Sequence, residues 1–183
     1  MWNVISLDSR FEGEKPWDLS FHQLVWGKEL EAFSHEQLAS ADMLVFGKNT
    51  YTGMADYWSK AESDPDEGAT AKSMNSIRKI VCSSTLERAD WNNTTIVRDA
   101  VAEILLLKQE GDGNMFVFGS GILSASLMQA NLFDEYRLAV ASVILGKGRH
   151  LFADGLNEQR LKPLESRTLS SGGVLLRYAA TSL

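Results

Sequence analysis

Three short stretches of small and hydroxyl-bearing residues carry the clearest chemical signal in this sequence: Phe46-Gly47-Lys48-Asn49-Thr50-Tyr51, Cys82-Ser83-Ser84-Thr85 and Phe118-Gly119-Ser120-Gly121-Ile122. Each follows an apolar run that reads as a buried strand, and the first and last lead into helical patterns. Glycine lets a backbone approach an anion closely, and hydroxyls add hydrogen-bond donors. A helix N-terminus adds unpaired amides and the positive end of a dipole. In open α/β sheets ligands lie at the carboxyl ends of strands, so loops of this kind side by side suit a dinucleotide with several phosphates. Each loop alone also has a purely structural reading. Gly47 can relieve a tight turn, and Gly119-Ser120-Gly121 can let a helix pack close to a strand. The combination is what favours nucleotide binding.

Other chemistries lack their residues. Gly119-Ser120-Gly121-Ile122-Leu123-Ser124 has no third glycine of the Rossmann fingerprint, and it follows a later strand instead of opening the domain. There is no Gly-Lys-Ser/Thr of a P-loop and no Gly-x-Ser-x-Gly elbow. His22, His35 and His150 are too scattered, and Cys82 too solitary, for a metal cage, so no metal is expected. Within Ile80-Val81-Cys82 the thiol reads as a small buried hydrophobe. A lone cysteine makes no internal disulfide, which fits a reducing compartment. The net charge of -6 disfavours nucleic-acid and anionic-membrane partners while leaving room for a local basic pocket. Met1 to Asp8 read neither as a signal peptide nor as a span, so a cytoplasmic location is the expectation. Trp17, Trp26, Tyr57 and Trp58 can wall a flat heterocycle or fill the core, and for each the core role is the stronger reading. Asp8, closing the first strand, can meet a substrate or cap the following turn.

The elements that must position these residues alternate along the chain. Strands are expected over Trp2 to Leu7, Met43 to Phe46, Lys79 to Cys82, Thr94 to Val97 and Met115 to Phe118. Between them lie a loop with a helical turn over Lys15 to Lys28 and a short helix opened by a capping box at Ser34-His35-Glu36-Gln37. A helix from about Thr50 through Trp58 and a solvated acidic loop over Glu62 to Gly68 come next. Asp99 caps a helix that Gly111 stops, and Ile122 to Gln129 forms the last helix. From Glu135 onward only strands remain: Tyr136 to Val140, Val143 to Leu145, and a hairpin of Leu161 to Thr168 and Val174 to Ala179 around Ser170-Ser171-Gly172-Gly173. The order predicts one α/β domain over 1–183, a mostly parallel sheet with an antiparallel C-terminal edge.

Seven motifs then fall in register with one family. Ser6-Leu7-Asp8, Gly47-Lys48-Asn49-Thr50-Tyr51, Lys79 to Leu86, Trp91-Asn92-Asn93, Phe118 to Gly121, Asp134 to Leu138, and Val143 to Gly148 with Leu151-Phe152 occur in order over nearly the whole chain. In these the sequence resembles the bacterial dihydrofolate-reductase-like proteins related to the C-terminal reductase domain of the bifunctional riboflavin deaminase-reductase. The resemblance implies a dihydrofolate-reductase-like three-layer fold and an NADPH-dependent reductase of a small heterocycle, similar to 5-amino-6-(5-phosphoribosylamino)uracil reductase. By matching position it implies that Gly47, Lys48 and Thr50 hold cofactor phosphates, with Lys48 standing where the family usually has arginine. It places Ser83 and Ser84 near the adenosine ribose and its 2′-phosphate, and Gly119, Ser120, Gly121 and Ile122 beneath the pyrophosphate and nicotinamide. It sets Asp8 near the substrate, with Trp17 and Trp58 as candidate walls, and implies a homodimer. Ser9 replaces the glycine usual after Ser-Leu-Asp, the lysine usual before that motif has no counterpart, and the zinc deaminase half is missing. A non-catalytic nucleotide-binding dimer, or a purely structural one, are the competing readings.

Overall fold

A computed structural model describes residues 1–111 and 113–181. Its chain order is β1 (Trp2–Ser6), β2 (Arg10–Glu12), a 3-10 turn (Ser20–Leu24), α1 (Lys28–Ala39), β3 (Met43–Gly47), α2 (Lys48–Trp58), α3 (Gly68–Ser76), β4 (Arg78–Cys82), β5 (Thr94–Val97), α4 (Ala100–Glu110), β6 (Met115–Val117), α5 (Gly121–Gln129), β7 (Glu135–Ala141), β8 (Arg149–His150), β9 (Leu161–Thr168) and β10 (Val174–Ala180).

β5-β4-β3-β6 form a wholly parallel set, and β1-β7-β10-β9 a second set whose first pair is parallel and whose remainder is antiparallel. A parallel bridge between Trp2 and Phe118 joins the two into one row. The mostly parallel sheet with an antiparallel C-terminal hairpin is therefore as the alternation of elements predicts.

Period-two alternation builds the layers. In β3, Met43 and Val45 face a core shared with Ile104 and Leu107 of α4 and with Leu123 and Leu127 of α5. Leu44 and Phe46 face the opposite way, onto Leu38, Tyr51, Met74 and Trp91. Beside this second core Trp2 and Val4 meet Leu30 and Phe33 of α1, with the Trp2 and Phe33 rings edge-on at 5.5 Å. Helices thus cover both faces of the sheet. Among the described residues no helix is long and apolar enough to cross a membrane.

Several boundaries differ from expectation for identifiable reasons. Ser34 does not open α1. The helix starts at Lys28, where the Gly27 carbonyl accepts from the Glu31 amide and Glu29 and Glu31 face the positive end of the dipole. Its buried positions Leu30, Phe33, Gln37 and Leu38 fix the extent, and the Ser34 hydroxyl lies mid-helix without a hydrogen-bond partner. The helix α3 went unpredicted because Gly-Ala-Thr-Ala-Lys-Ser-Met-Asn-Ser has little apolar periodicity. It is held from outside, by Lys79 beneath its last turn. Val143 to Leu145 is not a strand: Leu7 donates to the Val143 carbonyl and Leu145 donates to Asp8, so the segment is fastened to the turn after β1. The two-stranded β2–β8 ribbon is too short for its pattern to show in the sequence.

Candidate functional site

Parallel pairing of β3 with both β4 and β6 brings the carboxyl ends of these strands side by side, Gly47 opposite Cys82 in register. The loops that follow touch one another. The Gly47 amide donates to Ser120 Oγ at 2.9 Å, and a Cβ built on Gly119 would lie 3.5 Å from the Thr50 side chain. Lys48 Nζ donates to Thr85 Oγ1 at 2.9 Å, closing the row. Gly119 (φ 53) and Ser120 (φ 59) are both left-handed, which turns the chain sharply out of β6 and into α5.

Of the five α-helices among the described residues, only α4 has a side-chain cap; α1 and α3 start without one elsewhere in the fold. α4 is capped by its own Asp99, which accepts from the Ala102 amide. α2 and α5, which begin at the glycine loops, have no side-chain cap and no acidic residue in the first turn. What sets these two starts apart is their place, since Lys48–Thr50 and Gly121–Leu123 border one cavity, where amides and a dipole end suit an anion. Arg98 adds to this side: its guanidinium donates to the Ser83 carbonyl at 2.7 Å, and like Lys48 it is exposed. Sequence reading missed Arg98, which follows β5 instead of standing in a glycine loop.

One cavity of 1620 Å³ runs along these loops. All nine residues expected to hold a cofactor, Gly47, Lys48, Thr50, Ser83, Ser84, Gly119, Ser120, Gly121 and Ile122, border it. Ser120 is buried with its hydroxyl engaged by Gly47, so it ties two loops together and leaves backbone to face the space. Ile122, 87% exposed, presents an apolar surface at the rim. Gly121 is fixed by contact: a Cβ there would stand 2.8 Å from the Phe11 ring.

The other expected residues divide. Trp17 and Trp58 border the same cavity, as does Trp26. The core reading fails for three of the four aromatics: Trp17, Trp26 and Tyr57 are exposed by 40%, 47% and 52%. Trp17 is held in a left-handed conformation (φ 64) by its amide's donation to Glu12 Oε1, and its ring lies against Gly53 of α2. Tyr57 donates to Glu67 and lies outside the lining. Trp58 is half-buried, donating to Met54 Sδ at 3.2 Å.

Asp8 is not at the cavity. Its carboxylate accepts from the Ser6 hydroxyl, the Leu145 and Gly146 amides and Arg10 Nε, the last at 2.9 Å. These donors, Ser6 foremost, hold its pKa far below the ordinary 3.8. The structure gives it the turn-capping role and leaves it outside the lining of the cavity, away from where the resemblance sets the substrate. Cys82 fits its quiet reading, with burial pushing the thiol up to about 12.

Four further groups border the cavity that sequence reading did not assign to it. Asn3 Nδ2, Glu12 Oε2, His22 Nε2 and Ser34 Oγ are buried atoms without a hydrogen-bond partner. Asn3 had left a trace, a polar residue inside the apolar strand Trp2–Ser6. The others lie on elements whose packing only the fold reveals. Burial holds His22 down to about 4, against a backbone hydrogen bond to Phe11, so its ring is neutral near pH 7. Among the described residues no group of three or more His, Cys, Asp or Glu side chains is placed to hold a metal ion.

The parallel sheet with its antiparallel C-terminal hairpin is a reductase-like α/β fold. The chain belongs to the RibD C-terminal domain family, which matches residues 2–175. It is 30% identical over 141 residues to uncharacterized protein YyaP of Bacillus subtilis (strain 168), covering 77% of this chain and 75% of that one. A crystal structure from Shewanella sp. PV-4, of a protein named for riboflavin biosynthesis, superposes with a TM-score of 0.79 at 18% identity, over 99% of this chain and 97% of that one. The Thermotoga maritima diaminohydroxyphosphoribosylaminopyrimidine deaminase/5-amino-6-(5-phosphoribosylamino)uracil reductase superposes with a TM-score of 0.65 at 15% identity. That match covers 98% of this chain but 55% of the bifunctional one. At these identities the solved structures speak for the fold alone.

Proposed function

We propose that this chain is an NADPH-dependent reductase of a small heterocyclic substrate. The carrying observation is that α2 and α5 start uncapped at adjoining glycine loops while Lys48 and Arg98 flank the neighbouring serine loop. The fit to a dinucleotide rests on these features: two helix starts for the pyrophosphate, and a pair of cations with Ser83 and Ser84 for a 2′-phosphate. When bound, NADPH supplies the hydride. The chain's own residues supply position and dryness. The amides at Lys48–Thr50 and Gly119–Ile122 fix the diphosphate, while the Gly47 amide holds Ser120. Ile122 offers apolar surface beside it, and Trp17, held by Glu12, walls the space beyond.

A homodimer accompanies this reading. β9 is the free edge of the sheet, exposed at all positions but Glu165, and carries Leu161 and Leu164 outward. The consumption of Asp8 by its turn favours a second reading, a nucleotide-binding dimer without turnover. The two separate in one assay. Protein is mixed with NADPH and a panel of pterins, aminouracils and quinones, and NADPH absorbance is followed. Oxidation proportional to protein is expected for a reductase. Tight NADPH binding with no oxidation across the panel would establish the non-catalytic reading instead.

A further inference from the structure

A glycine stands in the middle of α2 without a backbone reason. Gly53 has an ordinary helical φ, and glycine is, after proline, the poorest helix former. Its surroundings supply the reason: a Cβ built there would overlap the benzo ring of the Trp17 indole. The helix is notched where this ring lies.

Trp17 is held at the notch in an unfavourable backbone state. Among the described residues five that are not glycine have positive φ, and Trp17 is the one bulky side chain of the five. The conformation is fastened on both sides. The Trp17 amide donates to Glu12 Oε1 at 2.6 Å, and the Trp17 carbonyl accepts from the Leu19 amide at 3.0 Å. Glu12 is itself buried and ion-paired through Oε2 with Arg149 at 3.1 Å. Backbone strain persists only where surroundings over-determine it, and it collects at ligand clamps. Yet the indole so carefully held fills no core, since it stays 40% exposed and borders the cavity.

Contacts fix where this aromatic surface lies. Gly53 follows Thr50 by three residues, on the same side of α2 and about 4.5 Å further along its axis. The other end of the same stretch of chain meets α5, where a Cβ on Gly121 would stand 2.8 Å from the Phe11 ring. Residues 11–17 thus run from the first residue of α5 to the second turn of α2, the two helices whose starts are proposed to take the diphosphate. A planar ring carried by that diphosphate, or brought up to be reduced, comes within reach of the indole.

We propose that Trp17 is the stacking face for the reacting ring, a planar nitrogen heterocycle, and that Gly53 is the positioning residue that seats it. The inference rests on the reductase reading and deepens it: the ring is the nicotinamide or the heterocycle it reduces.

The test is calorimetric titration of the full chain with three probes: NADPH, 2′-phospho-ADP-ribose, which lacks the nicotinamide, and pterins and aminouracils added over saturating NADP⁺. Trp17→Leu keeps an apolar side chain without the aromatic face. It weakens a probe carrying the reacting ring about tenfold, the scale of one lost ring–ring contact, and leaves 2′-phospho-ADP-ribose unchanged. Trp17→Phe recovers most of that loss. Gly53→Ala, with Trp17 intact, weakens the same probe severalfold, but adds nothing in the Trp17→Leu background because Gly53 acts only through the indole. A loss with NADPH assigns the nicotinamide to Trp17, and a loss confined to the pterins or aminouracils assigns the acceptor ring. Affinities unchanged in Trp17→Leu, an equal loss for 2′-phospho-ADP-ribose, or additive losses in the double variant overturn the inference while the reductase reading stands. A parent chain that binds neither NADPH nor 2′-phospho-ADP-ribose overturns both.

Discussion

Lys48 and Arg98 show how little chemistry a single side chain announces. Both are exposed, and each already donates one hydrogen bond within the chain, to Thr85 Oγ1 and to the Ser83 carbonyl. What distinguishes them is that the two bonds converge on the same serine loop. Charge-assisted hydrogen bonds to an anion contribute about 1.5–3 kcal/mol each. Lys48→Ala with Arg98→Ala should therefore weaken NADPH at least tenfold while changing NADH affinity little, measured by parallel fluorescence titrations. Equal losses for the two dinucleotides would remove the cations from 2′-phosphate recognition. Asp8 makes the opposite point, a promising acid spent on structure. Its folded-state pKa is depressed, so the stabilisation it gives is fully present above the ordinary 3.8 and is lost as pH falls through and below that value. Asp8→Asn should lower the urea midpoint at neutral pH, and the gap to the parent chain should shrink below about pH 4. A gap independent of pH would mean that the carboxylate's charge does not fasten the Leu145–Gly146 segment.

Elements whose apolar residues recur with a clean period were legible in the sequence. β3, β4 and β6 and the helices α4 and α5 fall where alternation and capping place them, down to the Asp99 cap and the left-handed Gly111 that ends α4. Elements held by their surroundings were not. α1 was placed too late because Ser34-His35-Glu36-Gln37 has the form of a capping box, while burial of Leu30 and Phe33 on Trp2 extends the helix back to Lys28. α3 was missed because its stability lies in Lys79, a residue of the next strand. This lysine is fully buried, with Nζ donating to the Met74, Asn75 and Ile77 carbonyls at 2.7, 3.1 and 2.6 Å and lying 4.7 Å from the Trp91 ring centroid. Burial draws the ammonium down to about 8. Lys79→Met would keep the stem and strip the Met74 and Ile77 carbonyls of this donor, while the Asn75 carbonyl keeps its bond from Asn92 Nδ2. It should cost about 2–4 kcal/mol in urea unfolding. A loss below about 0.5 kcal/mol would show that α3 does not depend on this cap.

At the scale of the molecule the candidate site is a property of sheet order. Glycine and serine loops far apart in sequence become neighbours only because β4, β3 and β6 are adjacent and parallel. The sequence carried the loops and, through a family resemblance, their likeness to a dinucleotide cradle. It did not carry the other polar residues that border the cavity, since Asn3, Glu12, His22 and Ser34 come from four elements whose packing no local pattern encodes. The central claim is that these loops hold a dinucleotide, and a crystal structure of the chain grown with NADPH tests it most directly. Density for the diphosphate should lie against the amides of Lys48–Thr50 and Gly119–Ile122, with the 2′-phosphate between Lys48, Arg98 and the Ser83–Thr85 loop. A nucleotide bound elsewhere, or a cavity that stays empty at saturating NADPH, would contradict the account.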